Sequence, residues 1–114
     1  MADTLRGDIW MGDLSPTRGR EQSGRRPLLI VSDDLFNRGA ADLVIVVPLT
    51  TRDKGIVSHV EIRPPEGGVS QISYIKCQDI RSIAKERMHT YIGSVSETTM
   101  QEVELKLKLL LQLG

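Results

Sequence analysis

Arg18, Arg20, Arg25 and Arg26 crowd into the segment between Pro16 and Pro27, opposed only by Glu21, so residues 18–26 carry a local charge of +3. Guanidinium groups donate forked, charge-assisted hydrogen bonds that match phosphoryl oxygens, which makes such a cluster suited to a phosphate backbone. Clustering alone describes a solvated surface loop equally well. Arg26 stands apart because Pro27 and the apolar run Leu28–Val31 follow it directly, so it is held more firmly than Arg18 or Arg20. Thr50 is the second candidate. Its hydroxyl follows the apolar run Leu43–Val47 and Pro48-Leu49, at a strand end where a polar side chain becomes accessible. Alone it reads as a cap or turn residue, and the pair has meaning only if both ends meet in space.

Other chemistries find fewer residues. His59 and His89 lie far apart in sequence with no His or Cys at ligand spacing, which predicts no metal centre. No glycine-rich phosphate loop is present, and Gly67-Gly68 reads as a turn. Cys77 is the single cysteine, so no intramolecular disulfide can form, and its apolar setting suggests a small core residue.

The elements that must position these groups are mainly strands. Residues 7–14 read as a first strand, with Ile9, Met11 and Leu14 as the less polar positions and Trp10 on the other face. A polar loop runs from Ser15 to Pro27. Leu28–Val31 and Leu43–Val47 are apolar on both faces, as central strands are. Between them Asp33 or Asp34 can cap a short helical turn through Asn37, stopped near Gly39. Residues 57–62 alternate, with Val60 and Ile62 opposite His59 and Glu61. After the break at Pro64–Gly68, residues 72–83 supply one or two strands and residues 88–95 the last. A helix capped by Ser94 with Glu97, or by Ser96, then runs to about Leu113. Met100, Val103, Leu107, Leu110 and Leu111 form one stripe on it, and Leu105, Leu109 and Leu113 a second. One stripe covers the sheet, and the other needs loops or a partner subunit. The order of elements predicts a small, mostly antiparallel barrel closed by a terminal helix.

The 114 residues fit one domain spanning 1–114, and 15 basic residues balance 15 acidic ones, so nucleic-acid binding has to come from local clustering. The lone cysteine and the absence of a signal peptide or membrane-length apolar stretch suggest a cytoplasmic protein without membrane contact.

Several segments together resemble a known family. Gly7-Asp8-Ile9-Trp10, Asp13-Leu14-Ser15-Pro16, Gly19, Glu21-Gln22, Gly24, Arg26-Pro27, the strand Leu29–Ser32, Asn37-Arg38, Val47-Pro48-Leu49-Thr50, His59-Val60-Glu61 and Gln78–Ile83 are similar to the MazF/PemK toxin endoribonucleases of type II toxin–antitoxin modules. The resemblance implies a compact SH3-like or PemK-like antiparallel β-barrel with short helices and a C-terminal helix, assembled as a homodimer. It implies an mRNA interferase that cuts single-stranded RNA at sequence-defined sites without a cofactor or metal. The 2′-hydroxyl would attack the adjacent phosphorus, leaving 2′,3′-cyclic phosphate and 5′-hydroxyl ends. A cognate antitoxin is implied as partner, laying an acidic or disordered segment across the RNA groove.

Carried over by motif, the catalytic arginine falls on Arg26 and the catalytic threonine on Thr50, and Glu21 matches the acidic residue of the loop, as base or as loop anchor. Arg18, Arg20, Gln22, Arg25, His59, Gln78 and Arg81 are the expected RNA contacts. Ser23 stands where members often have glycine, and the added arginines also depart from the family loop, which puts the recognised RNA sequence in question more than cleavage. With Trp10, Phe36, Tyr74 and Tyr91 as the only aromatics for stacking, recognition is expected to rest largely on hydrogen bonding and loop shape. A non-catalytic RNA-binding barrel and a gyrase-poisoning toxin of related fold are the alternatives.

Overall fold

The computed structural model describes residues 3–14 and 24–114. Arg18, Arg20, Glu21 and Gln22 therefore lie outside the described residues. Seven strands and two α-helices are present: β1 Asp8–Asp13, β2 Arg25–Ile30, α1 Asp34–Asn37, β3 Leu43–Thr50, β4 His59–Ile62, β5 Ser73–Lys76, β6 Arg81–Ala84, β7 Met88–Ser94 and α2 Glu97–Leu111. Short 3-10 turns occupy Glu66–Gly68, Cys77–Asp79 and Lys85–Arg87. The fold is mainly β, with short helices and a C-terminal helix.

All strand pairs are antiparallel, in the order β4-β5-β3-β2-β1-β7 with β6 attached to β3. β3 is the hinge of the architecture. Its first half pairs with β6, Val46 to Pro48 pair with β2, and its end turns away to pair with β5. Among the described residues no ladder joins β4 to β7. Instead the turn after β4 presses on β7: a Cβ on Gly93 would fall 2.6 Å from the Gly67 carbonyl carbon and 2.7 Å from the Gly68 nitrogen. Only glycine lets the two backbones approach this closely.

The central strands are buried on both faces, as their unbroken apolar runs predict. Ile9, Leu29, Val47, Leu49, Val60, Ile62 and Ile75 face one cluster, covered by Met100 and Val103 of α2. Trp10, Leu14, Leu28, Ile30, Val44, Val46, Ile83 and Met88 form a second on the opposite face. Trp10 lies on the face opposite Ile9, as alternation predicts, and is buried there; one expectation for β1 is corrected, since Leu14 belongs with Trp10 rather than with Ile9. Cys77 is fully buried at the start of a 3-10 turn rather than inside a strand. Burial pushes its thiol up to about 11, as befits an inert core residue.

Asp33 caps α1, its carboxylate accepting from the Leu35 N–H. Of the two candidate caps for α2, Ser96 is the one used: its hydroxyl accepts from the Thr99 N–H at 3.1 Å. The acid that completes the cap comes from far away in sequence. Glu66 Oε2 accepts from the Ser96 N–H at 3.0 Å and from the Thr99 hydroxyl at 2.5 Å. The helix stops at Leu111 because Gln112 adopts the left-handed conformation. Only Met100, Val103 and the half-buried Leu107 of its first stripe reach the core. Leu105, Leu109 and Leu113 are 55–65% exposed, and Leu110 and Leu111 are 45% and 52% exposed, so no loop among the described residues buries them. No helix among the described residues is long and apolar enough to cross a membrane.

Candidate nucleic-acid interface

Arg25 and Arg26, read from sequence as the end of a polar loop, are strand residues. They open β2, where Asp13 faces Arg25 and Gly12 faces Arg26. Alternation puts the two arginines on opposite sides of the strand, with Arg26 on the side of Leu28 and Trp10. Gly12 keeps that side clear: a Cβ there would lie 2.5 Å from Leu28 Cδ1 and 3.2 Å from both the Arg87 carbonyl oxygen and Met88 Sδ. Arg25 is exposed and Arg26 partly buried. The Arg26 Nε–H is buried and has no hydrogen-bond partner among the described residues. An unpaired buried donor is costly, and it is a group that an incoming acceptor would satisfy.

Thr50 reaches the same neighbourhood through strand register. Ile30 faces Val46, Leu29 faces Val47 and Leu28 faces Pro48. Continued two residues along the same diagonal, this register sets Arg26 opposite Thr50. The ladder stops at Leu28 and Pro48 because β3 there passes from β2 to β5, where Thr50 pairs with Tyr74. The strands part between the two candidate residues and leave their side chains on one face. The Thr50 hydroxyl accepts from the Arg52 N–H at 3.2 Å and still carries a proton to donate.

The row continues outward. Tyr74 pairs with Glu61 of β4, and His59 pairs with Lys76. Val60 and Ile62 are buried on the other side, so the alternation read in residues 57–62 holds for the strand itself, His59–Ile62. Gln78 ties the row together: its amide nitrogen lies 3.0 Å from His59 Nε2, and its carbonyl accepts from the Ser58 hydroxyl at 2.7 Å. With the amide donating, Nε2 is the acceptor, which assigns the ring proton to Nδ1. Burial first, and then the Lys76 ammonium, lowers the His59 pKa below its ordinary value, so the ring is neutral near pH 7. Lys76 is itself paired with Asp79 at 2.9 Å.

Gln78 and Arg81 line a cleft of about 440 Å³ together with Leu14, Pro48, Asp79, Ile80 and Ser82. One wall ends at Leu14, where the arginine-rich segment begins, and another lies two residues from Thr50. Among the described residues no group of three or more His, Cys, Asp or Glu side chains converges as a metal site. His59 and His89 stand on β4 and β7, the two ends of the strand path. Ser58, Tyr74 and Lys76 were not assigned to the site from sequence. Alternation in β5, with Ser73 and Ile75 buried and Tyr74 and Lys76 turned outward, is the signal that identifies the last two.

The fold and site thus describe a small, mainly β protein that presents an arginine, a threonine and a histidine–glutamine pair along one polar face. Residues 5–111 match the model of the PemK-like, MazF-like toxin of type II toxin–antitoxin systems, and the chain belongs to that family. The crystal structure of MazF (Form-I) from Deinococcus radiodurans is similar over 99% of this chain and 100% of that one, at 28% identity and a TM-score of 0.87. The MazE–MazF structure (Form-II) from the same organism covers all of both chains at 28% identity and a TM-score of 0.82. An endoribonuclease in complex with its cognate antitoxin, from a mycobacterial species, is 28% identical over 100% of this chain and 98% of that one, with a TM-score of 0.78.

Proposed function

We propose that the protein is a sequence-selective endoribonuclease, the cytoplasmic toxin of its toxin–antitoxin module, with residues 1–114 acting as one barrel-like toxin domain. The observation that supports this reading is the β2–β3 register, whose alternation puts Arg26 and Thr50 on one face, together with a buried Arg26 Nε–H that has no partner among the described residues. The ribose 2′-oxygen forms a bond to the adjacent phosphorus, the bond to the 5′-oxygen breaks, and the 2′-proton is passed on while the leaving oxygen gains one. The products are 2′,3′-cyclic phosphate and 5′-hydroxyl ends.

This chain's residues can promote that step by holding the attack geometry and stabilising charge on the phosphoryl oxygens. Arg26 does the second. A guanidinium surrenders its proton poorly near neutrality, so Arg26 acts as an electrostatic clamp rather than the general acid. Thr50 orients a phosphoryl oxygen or the 2′-hydroxyl by donating its proton. Glu21 keeps its assignment from the family loop as proton acceptor or loop anchor, and Glu21→Gln, which preserves shape but not basicity, separates the two. Arg18, Arg20, Gln22 and Arg25 contact the RNA backbone, and Arg81 acts from the cleft.

The similar mycobacterial endoribonuclease in complex with its cognate antitoxin supports a cognate antitoxin as partner. The exposed leucines of α2, together with a shallow cleft lined by Ile56, Val57, Leu109 and Leu110, support a homodimer, since an apolar stripe of this kind is seldom left in water. The test is incubation of purified protein with a diverse single-stranded RNA pool in excess chelator. Fragments with cyclic-phosphate ends are expected. RNA that is bound but uncut would leave a non-catalytic RNA-binding protein, and inhibition of gyrase supercoiling without RNA scission would transfer the assignment to a gyrase toxin.

A further inference from the structure

The outer face of β4 and β5 carries an arrangement that Arg26 and Thr50 do not account for. His59 and Tyr74 are diagonal neighbours across that strand pair, since His59 faces Lys76 and Tyr74 faces Glu61. Their ring centroids are 6.5 Å apart and their planes meet at 35°, so neither ring covers the other in close face-to-face contact. Beneath them Val60, Ile62 and Ile75 are at most 2% exposed, which gives the pair a rigid floor. Thr50 is the direct register partner of Tyr74, so the rings begin one strand away from the proposed phosphate contact.

The His59 ring is fixed by a hydrogen bond at its polar edge. His59 is held at Nε2 by Gln78, and Gln78 is oriented by Ser58. One donor and one acceptor of the Gln78 amide are therefore engaged within the protein, which fixes its orientation beside the His59 ring. Partial burial, and then the charges of Asp53 and Glu61, raise the Tyr74 pKa above its ordinary value, so the phenol stays protonated. Side chains ordered before binding pay no further rotamer entropy when a ligand arrives, and unstacked bases of single-stranded RNA are commonly received on aromatic rings, histidine among them.

We propose that His59 and Tyr74 form a preorganised stacking platform for one unpaired base of single-stranded RNA, with Ser58 and Gln78 as positioning residues that hold it. The ligand class rests on the ribonuclease reading above, and the platform adds stacking to a recognition that the sequence assigned to hydrogen bonds and loop shape.

The test is a cycle between base and side chain, with binding measured on a ten-nucleotide single-stranded RNA selected from a random pool of 2′-fluoro riboses, which cannot be cleaved by 2′-hydroxyl attack. An abasic unit is placed at each position in turn. In the wild type one position is expected to lose roughly 5- to 150-fold in Kd, the equivalent of the ~1–3 kcal/mol of a base–aromatic stack. At that position the loss should shrink to about twofold or less in Tyr74→Ala and His59→Ala and persist in Tyr74→Phe. Gln78→Ala should reduce the loss at that position only, without altering which base is preferred; an altered base preference would make Gln78 a direct reader and overturn its positioning role. Upfield ring-current shifts of the His59 and Tyr74 ring protons on RNA addition report the same contact by NMR, with no substitution that could disturb folding. An abasic loss of undiminished size in both alanine variants, or rings that do not shift, overturns the platform. Scission is scored separately on unmodified ribose RNA, so a protein that binds through the platform yet cuts nothing removes the ribonuclease reading alone.

Discussion

Arg26→Ala separates folding from chemistry more sharply than any other single change. The Arg26 Nε–H has no partner among the described residues, and the residue is only partly buried, so truncation forfeits stem packing and little hydrogen bonding. The expected loss of folding stability is under about 1 kcal/mol, the range of substitutions away from core and network sites. At the phosphate the balance reverses. A charge-assisted hydrogen bond contributes about 1.5–3 kcal/mol, and a guanidinium fork supplies two, so transition-state stabilisation should fall by about 3–6 kcal/mol. At 1.36 kcal/mol per tenfold, kcat/KM should drop roughly 10²- to 10⁴-fold. Arg26→Lys keeps the charge but loses the planar fork, and should recover part of the deficit, to a drop of about 10- to 100-fold. Single-turnover cleavage of a fluorogenic RNA, paired with urea unfolding of each variant, measures both quantities. Turnover of Arg26→Ala within about threefold of wild type, with the fold intact, would refute the proposed role of this residue.

Three further outcomes follow from the framework around the site. Burial by itself would raise the Glu66 pKa, but hydrogen bonds from Thr99 and Ser96 outweigh it and hold the carboxyl below its ordinary 4.5. A depressed folded-state pKa contributes stability above the unfolded value that is lost as pH falls through the folded value. Glu66→Ala should therefore cost about 1 kcal/mol at pH 7, as loss of a partly exposed cap does, and the difference from wild type in urea midpoints should disappear well below pH 4.5. Gly93→Ala drives a methyl group into the Gly67–Gly68 backbone at 2.6–2.7 Å, where no flexible side chain can give way. It should lower stability by about 2–3 kcal/mol, and an unchanged thermal midpoint would show that the turn after β4 does not support β7. Leu105→Glu with Leu109→Lys alters two side chains that are 55% and 65% exposed. Light scattering should then report a monomer of near-wild-type stability, and an unaltered mass would move the dimer interface to another face.

How much of this was legible in the sequence depended on the range of the interaction. The caps were narrowed to Asp33 or Asp34 and to Ser94 or Ser96 because capping chemistry acts within three residues, and the structure selects Asp33 and Ser96. Val60, Ile62, His59 and Glu61 were sorted correctly because alternation is a property of one strand. Trp10 was likewise placed correctly opposite Ile9, whereas Leu14 was sorted wrongly for a matching reason: a strand covered on both faces loses the polar–apolar contrast that alternation relies on. The two stripes of α2 were visible, but not that the core would take only its first three turns.

Across strands, the sequence is silent where register decides. Arg26 and Thr50 were each nominated by local context and by family resemblance, yet nothing in their separation along the chain says they share a face. That follows from the pairing of Leu28 with Pro48 and from β3 leaving β2 for β5 at that point. Glu66 was read as part of a turn and serves as the acid of a helix cap some thirty residues away. That Gln78 bonds Ser58 and His59, from two other segments of the chain, is likewise invisible in its local sequence. The sequence by itself determined the strands, their caps, the charged segment and the family, because short-range sterics and motif order encode them. Which side chains meet on the polar face was decided by tertiary structure, since strand register is set by how two buried faces and their connections fit together, and a one-residue slip would send every candidate to the other side.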